Sequence, residues 1–103
     1  MLSKKDLFNA KSASQELEEG LEINVKAVGT YSDKDQDGHD VTVSVLVDED
    51  GSVYAGISAT VADAIPMLDE ILKEAEENGD TVTVEVVKNT SKSGRKFTQL
   101  RIV

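Results

Sequence analysis

The basic side chains of this sequence concentrate in one segment. Residues 86–103 contain five of the eleven basic residues and no acidic residue, whereas residues 1–85 contain six basic and twenty acidic residues. The five are Lys88, Lys92, Arg95, Lys96 and Arg101. Cationic groups in such a series can bind phosphates, and Phe97 among them offers a ring on which a base can stack. In a chain of net charge −9, this cationic segment predicts a nucleic-acid contact.

Two tyrosines are further candidates for stacking on bases. In a strand predicted over residues 52–58, side-chain alternation places Tyr54 away from the valine face. Gly29 interrupts the first predicted strand, where a bulge or bend would turn Tyr31 to the face opposite Val25. Packing inside the fold is the alternative for both rings, because aromatic side chains bury a large apolar area.

Other chemistries find little support in the sequence. The chain has no Cys, which excludes thiolate catalysis, disulfides and Cys-based zinc sites. The single histidine, His39, lies in a polar turn and is expected to be solvated. Residues 33–38 match the first half of a calcium-binding EF-hand loop, but Ser44 stands where the bidentate Glu belongs and the flanks are strands. We therefore expect no catalytic residue, no metal site and no cofactor.

Hydrophobic periodicity predicts the elements that position these residues. Alternating patterns predict strands over residues 21–31, 41–48, 52–58, 81–90 and 95–103, and an apolar stripe at helical spacing predicts a helix over 60–78. This order favours a mostly β (α+β) fold, a five-stranded OB-like barrel in a single domain of residues 1–103. An open α+β sandwich is the alternative. Residues 1–20 are expected to form an arm that docks Phe8 and Leu17 onto the core.

Several details of these elements are open to test. The four valines at positions 41, 43, 45 and 47 share one face of the second strand. Thr60 and Asp63 resemble a helix capping box, and Pro66 predicts a kink or a start nearer Asp63. In the barrel, the face away from the core would collect Lys26, Tyr54, Phe97 and Arg101, with Tyr31 and Lys34 at its rim.

Three stretches resemble a known family. Residues 50–58, 60–64 and 86–97, together with the spacing of Leu17, Gly20 and Ile23, are similar to the single-stranded-DNA-binding proteins of Bacillus podophages that replicate by protein priming. The resemblance covers most of the chain. It implies a small, non-enzymatic protein that coats and protects displaced strands during phage DNA replication. The family's DNA-contacting tyrosines would correspond to Tyr31 and Tyr54, and a further family tyrosine has no counterpart in residues 32–40.

The sequence therefore supports two alternative functions. The first is sequence-independent binding of single-stranded DNA, with the phage replication machinery as a further partner. The second is an acidic protein-interaction module or DNA mimic, suggested by the net charge and by the carboxylates of the predicted helix. The chain has no signal-peptide core and no apolar run that could span a membrane, so we expect it in the cytoplasm, which is the host cytoplasm for a phage protein. We also expect a monomer.

Overall fold

The computed structural model describes residues 1–103 as two helices and six strands. In chain order the elements are α1 (Lys4–Ala13), β1 (Gln15–Glu16), β2 (Glu22–Lys34), β3 (Asp40–Asp48), β4 (Val53–Gly56), α2 (Ala59–Asn78), β5 (Val82–Thr90) and β6 (Lys96–Ile102). The strands form one mixed sheet in the order β1-β4-β3-β2-β5-β6, which curls into a half-barrel. The α+β class is confirmed, whereas the predicted count of five strands is wrong because β1 adds a sixth. Neither helix has the length and apolar content needed to cross a membrane.

The long strand β2 connects the two sides of the half-barrel. Its first residues pair with β5 and the remainder pairs with β3. The predicted irregularity is present, but the register shift falls between Val25 and Ala27 rather than at Gly29. Gly29 has a different role, because a Cβ there would lie 3.1 Å from both Leu2 Cβ and Leu7 Cδ2. The glycine therefore allows the N-terminal segment to approach the sheet closely.

The main core lies between the inner face of the sheet and α2. Its buried members come from both layers: Leu17, Ile23, Val25, Val28, Leu46, Val61, Ile65, Leu68, Val82, Val84 and Val86. Full burial of one such side chain stabilises the fold by about 1.5–3 kcal/mol. The inward positions predicted for β5 and the apolar stripe predicted for α2 are thus confirmed.

The start of α2 differs from the prediction. Ser58, rather than Thr60, is the N-cap, and its Oγ accepts a hydrogen bond from the Val61 backbone N–H. Pro66 lies inside the helix, which runs from Ala59 to Asn78, so of the two alternatives predicted from this proline, a kink or a later start, the later start is wrong. An N-cap serine satisfies a backbone donor that would otherwise lack a partner at the first turn.

A second, smaller cluster lies on the outer face of the sheet beneath α1. It contains Ala10, Val43 and Val45, so the valine face of β3 packs against α1 rather than against the main core. The predicted docking of Leu17 is confirmed, since it is buried in the main core. The predicted docking of Phe8 is wrong, because its side chain points to solvent and is 73% exposed. The expected arm of residues 1–20 consists mostly of the helix α1.

An ion pair joins the start of the chain to α2. The Met1 amino group donates a hydrogen bond of 2.8 Å to Oδ1 of the buried Asp69, and Lys73 Nζ lies 3.2 Å from Oδ2 of the same carboxylate. The hydrogen bond from the amino group, followed by that from Lys73, holds the pKa of Asp69 below its usual value against the opposing effect of burial. This pairing fixes the N-terminal segment against the helix.

Candidate nucleic-acid interface

A groove of about 550 Å³ opens between the β1–β4 end of the sheet and the β5–β6 hairpin. Its lining combines apolar, hydroxyl and cationic residues: Glu16, Leu17, Ala55, Gly56, Ile57, Ser58, Ala59, Thr60, Lys88, Lys96, Phe97 and Thr98. An adjoining depression of about 610 Å³ shares Lys88, Lys96, Phe97 and Thr98 with it. Together they form one extended surface, called the groove below, along the open side of the half-barrel.

Two local features hold the walls of the groove in place. Ser58 Oγ, which caps α2, also donates a hydrogen bond of 2.7 Å to the carbonyl oxygen of Thr98 on β6. On the opposite wall, Leu17 lies so close to Gly56 that a Cβ at that position would be 3.1 Å from Leu17 Cδ1. The sequence Gly56-Ile57-Ser58 therefore serves as the junction where strand, helix and hairpin meet.

Two lysines supply the positive charge of the groove. Lys88 on β5 lies directly opposite Thr98 on β6, and its Nζ donates a hydrogen bond to the threonine Oγ1. Lys96 precedes Thr98 by two residues and so shares its face of the strand. Neither lysine forms an ion pair with a carboxylate. Their charges are therefore available to phosphate, although two carboxylates, Glu16 and Glu19, also line the groove.

Phe97 is the aromatic residue of the groove. It is half-buried and lies opposite Asn89 in the β5–β6 pair, on the face of β6 away from Leu100. This placement was predicted from the period of the strand, and Leu100 packs against the main core as expected. Lys88 and Lys96 share the face of Thr98 and Leu100, so the phenyl ring and the two lysines lie on opposite faces of the β5–β6 pair, and all three border the groove. A partly exposed ring at this border can stack on a base.

Two other predicted cations are neutralised within the protein. Arg101 on β6 forms an ion pair with Glu85 on β5 through Nη2 and Oε1. Lys34 Nζ lies 2.6 Å from Asp40 Oδ1 across the β2–β3 hairpin. Neither residue lines the groove. An ion pair of this kind lowers the net charge that the cation presents to a phosphate.

The remaining predicted cations lie at separate places. Lys92 and Arg95 are exposed in the turn of the β5–β6 hairpin, which is closed by a hydrogen bond of 2.8 Å from the Ser91 N–H to the Arg95 carbonyl oxygen. They extend the cationic wall beyond the groove. Lys26 lies in the bulge of β2, in a different depression that it shares with Asp69 and other charged residues.

Tyr54 does not occupy the position expected for a stacking platform. It pairs with Leu46, which is buried in the main core, and directly paired residues share a face of the sheet. Tyr54 is half-buried and packs against that core. The prediction that Tyr54 lies on the face away from the core is therefore wrong. That prediction assumed that the valine face of β3 packs against the main core, whereas this face packs against α1.

Tyr31 lies on the other face. It pairs with Val43 in the cluster beneath α1, opposite the face of Val25, as predicted. The Lys11 ammonium lies 5.0 Å from the centroid of its ring, a cation–π contact. Burial, with a smaller effect from Asp33, raises the pKa of the Tyr31 hydroxyl. The two tyrosines therefore lie on opposite faces of the sheet and do not form one platform.

The acidic loop between β2 and β3 is a hairpin turn, as predicted. Asp35 Oδ1 accepts hydrogen bonds of 2.9 Å from the backbone N–H groups of Asp37 and His39. Ligand atoms of these three residues lie within 4.8 Å of one another. The carboxylate thus stabilises the turn by bonding to its own backbone, the usual behaviour of aspartate in loops.

Apart from Phe97, the uncharged residues that line the groove were not predicted as site residues from the sequence. Leu17, Gly56, Ser58 and Thr98 line it, but none carries a charge or an aromatic ring that would mark a nucleic-acid contact. The serine after a strand and before a helical stripe was the one available signal, because serine is a favoured N-cap.

A half-barrel with a groove that combines lysines, a phenyl ring and small residues is compatible with an OB-like fold, a class of folds that bind oligonucleotides. The family model described as "Phage Single-stranded DNA-binding protein" matches residues 2–103, and the chain belongs to this family. The resemblance stated from the sequence is thereby confirmed.

Three relatives carry the name "Single-stranded DNA-binding protein". The proteins of Bacillus phages phi29 and PZA are each 32% identical to this chain over 103 aligned residues, covering 93% of this chain and 82% of the relative. The protein of Bacillus phage B103 is 33% identical over 104 residues, covering 94% of this chain and 84% of the relative. No solved structure matches the chain.

Proposed function

We propose that this protein binds single-stranded DNA without sequence preference and coats displaced strands during phage genome replication. The membership of the chain in the phage family supports this function. The groove carries the structural part of the proposal, because it is lined by Lys88 and Lys96, which lack carboxylate partners, and by the partly exposed Phe97.

The order of the long strands supports an OB-like interpretation of the half-barrel. The five strands β2 to β6 with α2 between β4 and β5 follow the order expected for such a barrel, and β2 pairs on both sides. The Ser58–Thr98 hydrogen bond joins the β4 side to β6 where a closed barrel would pair strands. OB-type folds bind oligonucleotides on one strand face and its loops.

The charge distribution fits a site that selects single strands by shape. The chain has twenty acidic and eleven basic residues, so attraction of phosphate is limited to the places where basic residues concentrate, and the walls of the groove are one of them. Lys92 and Arg95 at the hairpin turn lie beyond the groove and lengthen the cationic path. We further propose that the protein has no catalytic step and acts in the host cytoplasm, where a replicating phage exposes single strands.

Titration of a labelled oligo(dT) of about 30 nucleotides, followed by fluorescence anisotropy, tests the proposal. We expect binding at low salt that weakens as salt rises, and a weaker response to duplex DNA of the same length. Absence of binding at low salt and high micromolar protein would rule out the proposed function.

A further inference from the structure

The helix α1 carries a concentration of positive charge that the groove does not use. Residues 1–14 contain Lys4, Lys5 and Lys11 and a single acidic residue, Asp6. Asp6 is engaged in the capping box with Ser3, so it is held at the first turn. Three of the six basic residues outside the segment 86–103 thus lie on this one helix, and all three are exposed.

An exposed phenyl ring lies among these lysines. Phe8 follows Lys4 by four residues and precedes Lys11 by three, a spacing that places all three on one stripe of the helix. Leu7 and Ala10 make the contacts between α1 and the sheet, while Phe8 is 73% exposed. A ring exposed between two lysines offers a stacking face to an unpaired base and cations to the adjoining phosphates.

The same stripe continues onto the sheet through Tyr31. The Lys11 ammonium lies over the Tyr31 ring at 5.0 Å, so an aromatic face and a cation meet at the edge of the helix. The C-terminal end of α1 leads directly into β1, and Glu16 of β1 lines the groove. The surface on α1 is therefore joined to the groove around the β1 edge of the sheet.

We propose that Lys4, Phe8 and Lys11 form a second contact surface for single-stranded DNA, next to Tyr31. This proposal rests on the proposed function of the groove. A strand that leaves the groove crosses the β1 edge and follows α1, where a base stacks on Phe8 and phosphates contact the lysines. The charge of the stripe matches a polyanion, and the exposed ring matches an unpaired base rather than a duplex.

A comparison of two oligonucleotide lengths separates this surface from the groove. Oligo(dT) of about 6 nucleotides is long enough for the groove alone, and oligo(dT) of about 16 nucleotides can occupy both surfaces. For Phe8→Ala we expect about a five-fold to tenfold loss of affinity for the longer oligonucleotide and none for the shorter. Phe8→Trp should restore the affinity, and its fluorescence should be quenched by the longer oligonucleotide only.

Met67→Ala is the matched control. Met67 is an exposed apolar residue on α2, and its truncation should leave the affinity for both lengths unchanged. An unchanged affinity of Phe8→Ala for the longer oligonucleotide, or an equal loss for both lengths, would overturn the second surface while leaving the groove intact. Absence of binding by the wild type would instead refute the proposed function, and the second surface with it.

Discussion

Replacing both groove lysines, Lys88→Ala with Lys96→Ala, should weaken binding of single-stranded DNA and reduce its salt dependence. The physical reason is that both ammonium groups lack carboxylate partners in the protein, so each can displace a counterion from a phosphate. The readout is the slope of the logarithm of the association constant against the logarithm of salt concentration, measured by anisotropy with oligo(dT).

The size of the effect follows from counterion release. Each phosphate contact contributes about 0.7 to this slope for a single strand, so the loss of two lysines should lower it by about 1.4. Over a fourfold increase in salt, the wild type should then lose about sevenfold more affinity than the double variant.

A second double variant controls for net charge. Lys34→Ala with Arg101→Ala removes the same two positive charges, but both residues are ion-paired, with Asp40 and Glu85. We expect the slope to stay close to the wild-type value. A slope that falls with this control variant and not with the groove variant would refute the assignment of phosphate contacts to Lys88 and Lys96.

Three further predictions concern the fold. Tyr54→Ala should lower the free energy of unfolding in a urea titration by roughly 2 kcal/mol, whereas Tyr54→Phe should keep both stability and oligo(dT) affinity; loss of binding in Tyr54→Phe would contradict the packing role. Ser44→Ala removes a fully buried hydroxyl that has no hydrogen-bond partner and should raise the free energy of unfolding by about 1 kcal/mol, so a lower melting temperature would be the adverse result. Asp69→Asn should be less stable than the wild type at neutral pH, and the difference in the free energy of unfolding should shrink below about pH 4. The reason is that a carboxyl group whose pKa is lowered by folding stabilises the fold above its unfolded-state pKa, and this stabilisation is lost as the pH falls. A difference that grows in acid would argue against the ion pair.

The sequence was a reliable guide where a single face of an element is buried. Val82, Val84 and Val86 alternate with polar residues, and their burial on β5 follows from that period alone. The same holds for Val61, Ile65 and Leu68 on α2. Each of these elements contacts the core on one side only, so its pattern carries the necessary information.

Hydrophobic alternation did not predict which side chains face the main core where both faces of a strand are buried. In β3, Val43 and Val45 pack beneath α1 while Leu46 faces the main core, so alternation could not tell which face was which. The assignment of Tyr54 to the outer face failed for this reason. Which face of β3 lines the main core depends on α1, because this helix, distant in sequence, covers the valine face.

The N-terminal helix itself was the least predictable element. Its sequence contains Asn9 and Ser12, which are weak helix formers, and of its apolar residues Leu7 and Ala10 pack in the cluster on the sheet. Tertiary packing, rather than propensity, stabilises it. Within the candidate site, the basic residues were identifiable from charge, but ion pairing of Arg101 with Glu85 depends on strand register.

The most direct test of the groove is an NMR titration of ¹⁵N-labelled protein with oligo(dT) of about 6 nucleotides. We expect the backbone amide shifts to change most at residues 56–58, at Lys88 and at residues 96–98, which line the two walls of the groove. Changes confined to the acidic outer face of α2, around Glu70 and Glu74, with none in the groove, would contradict it.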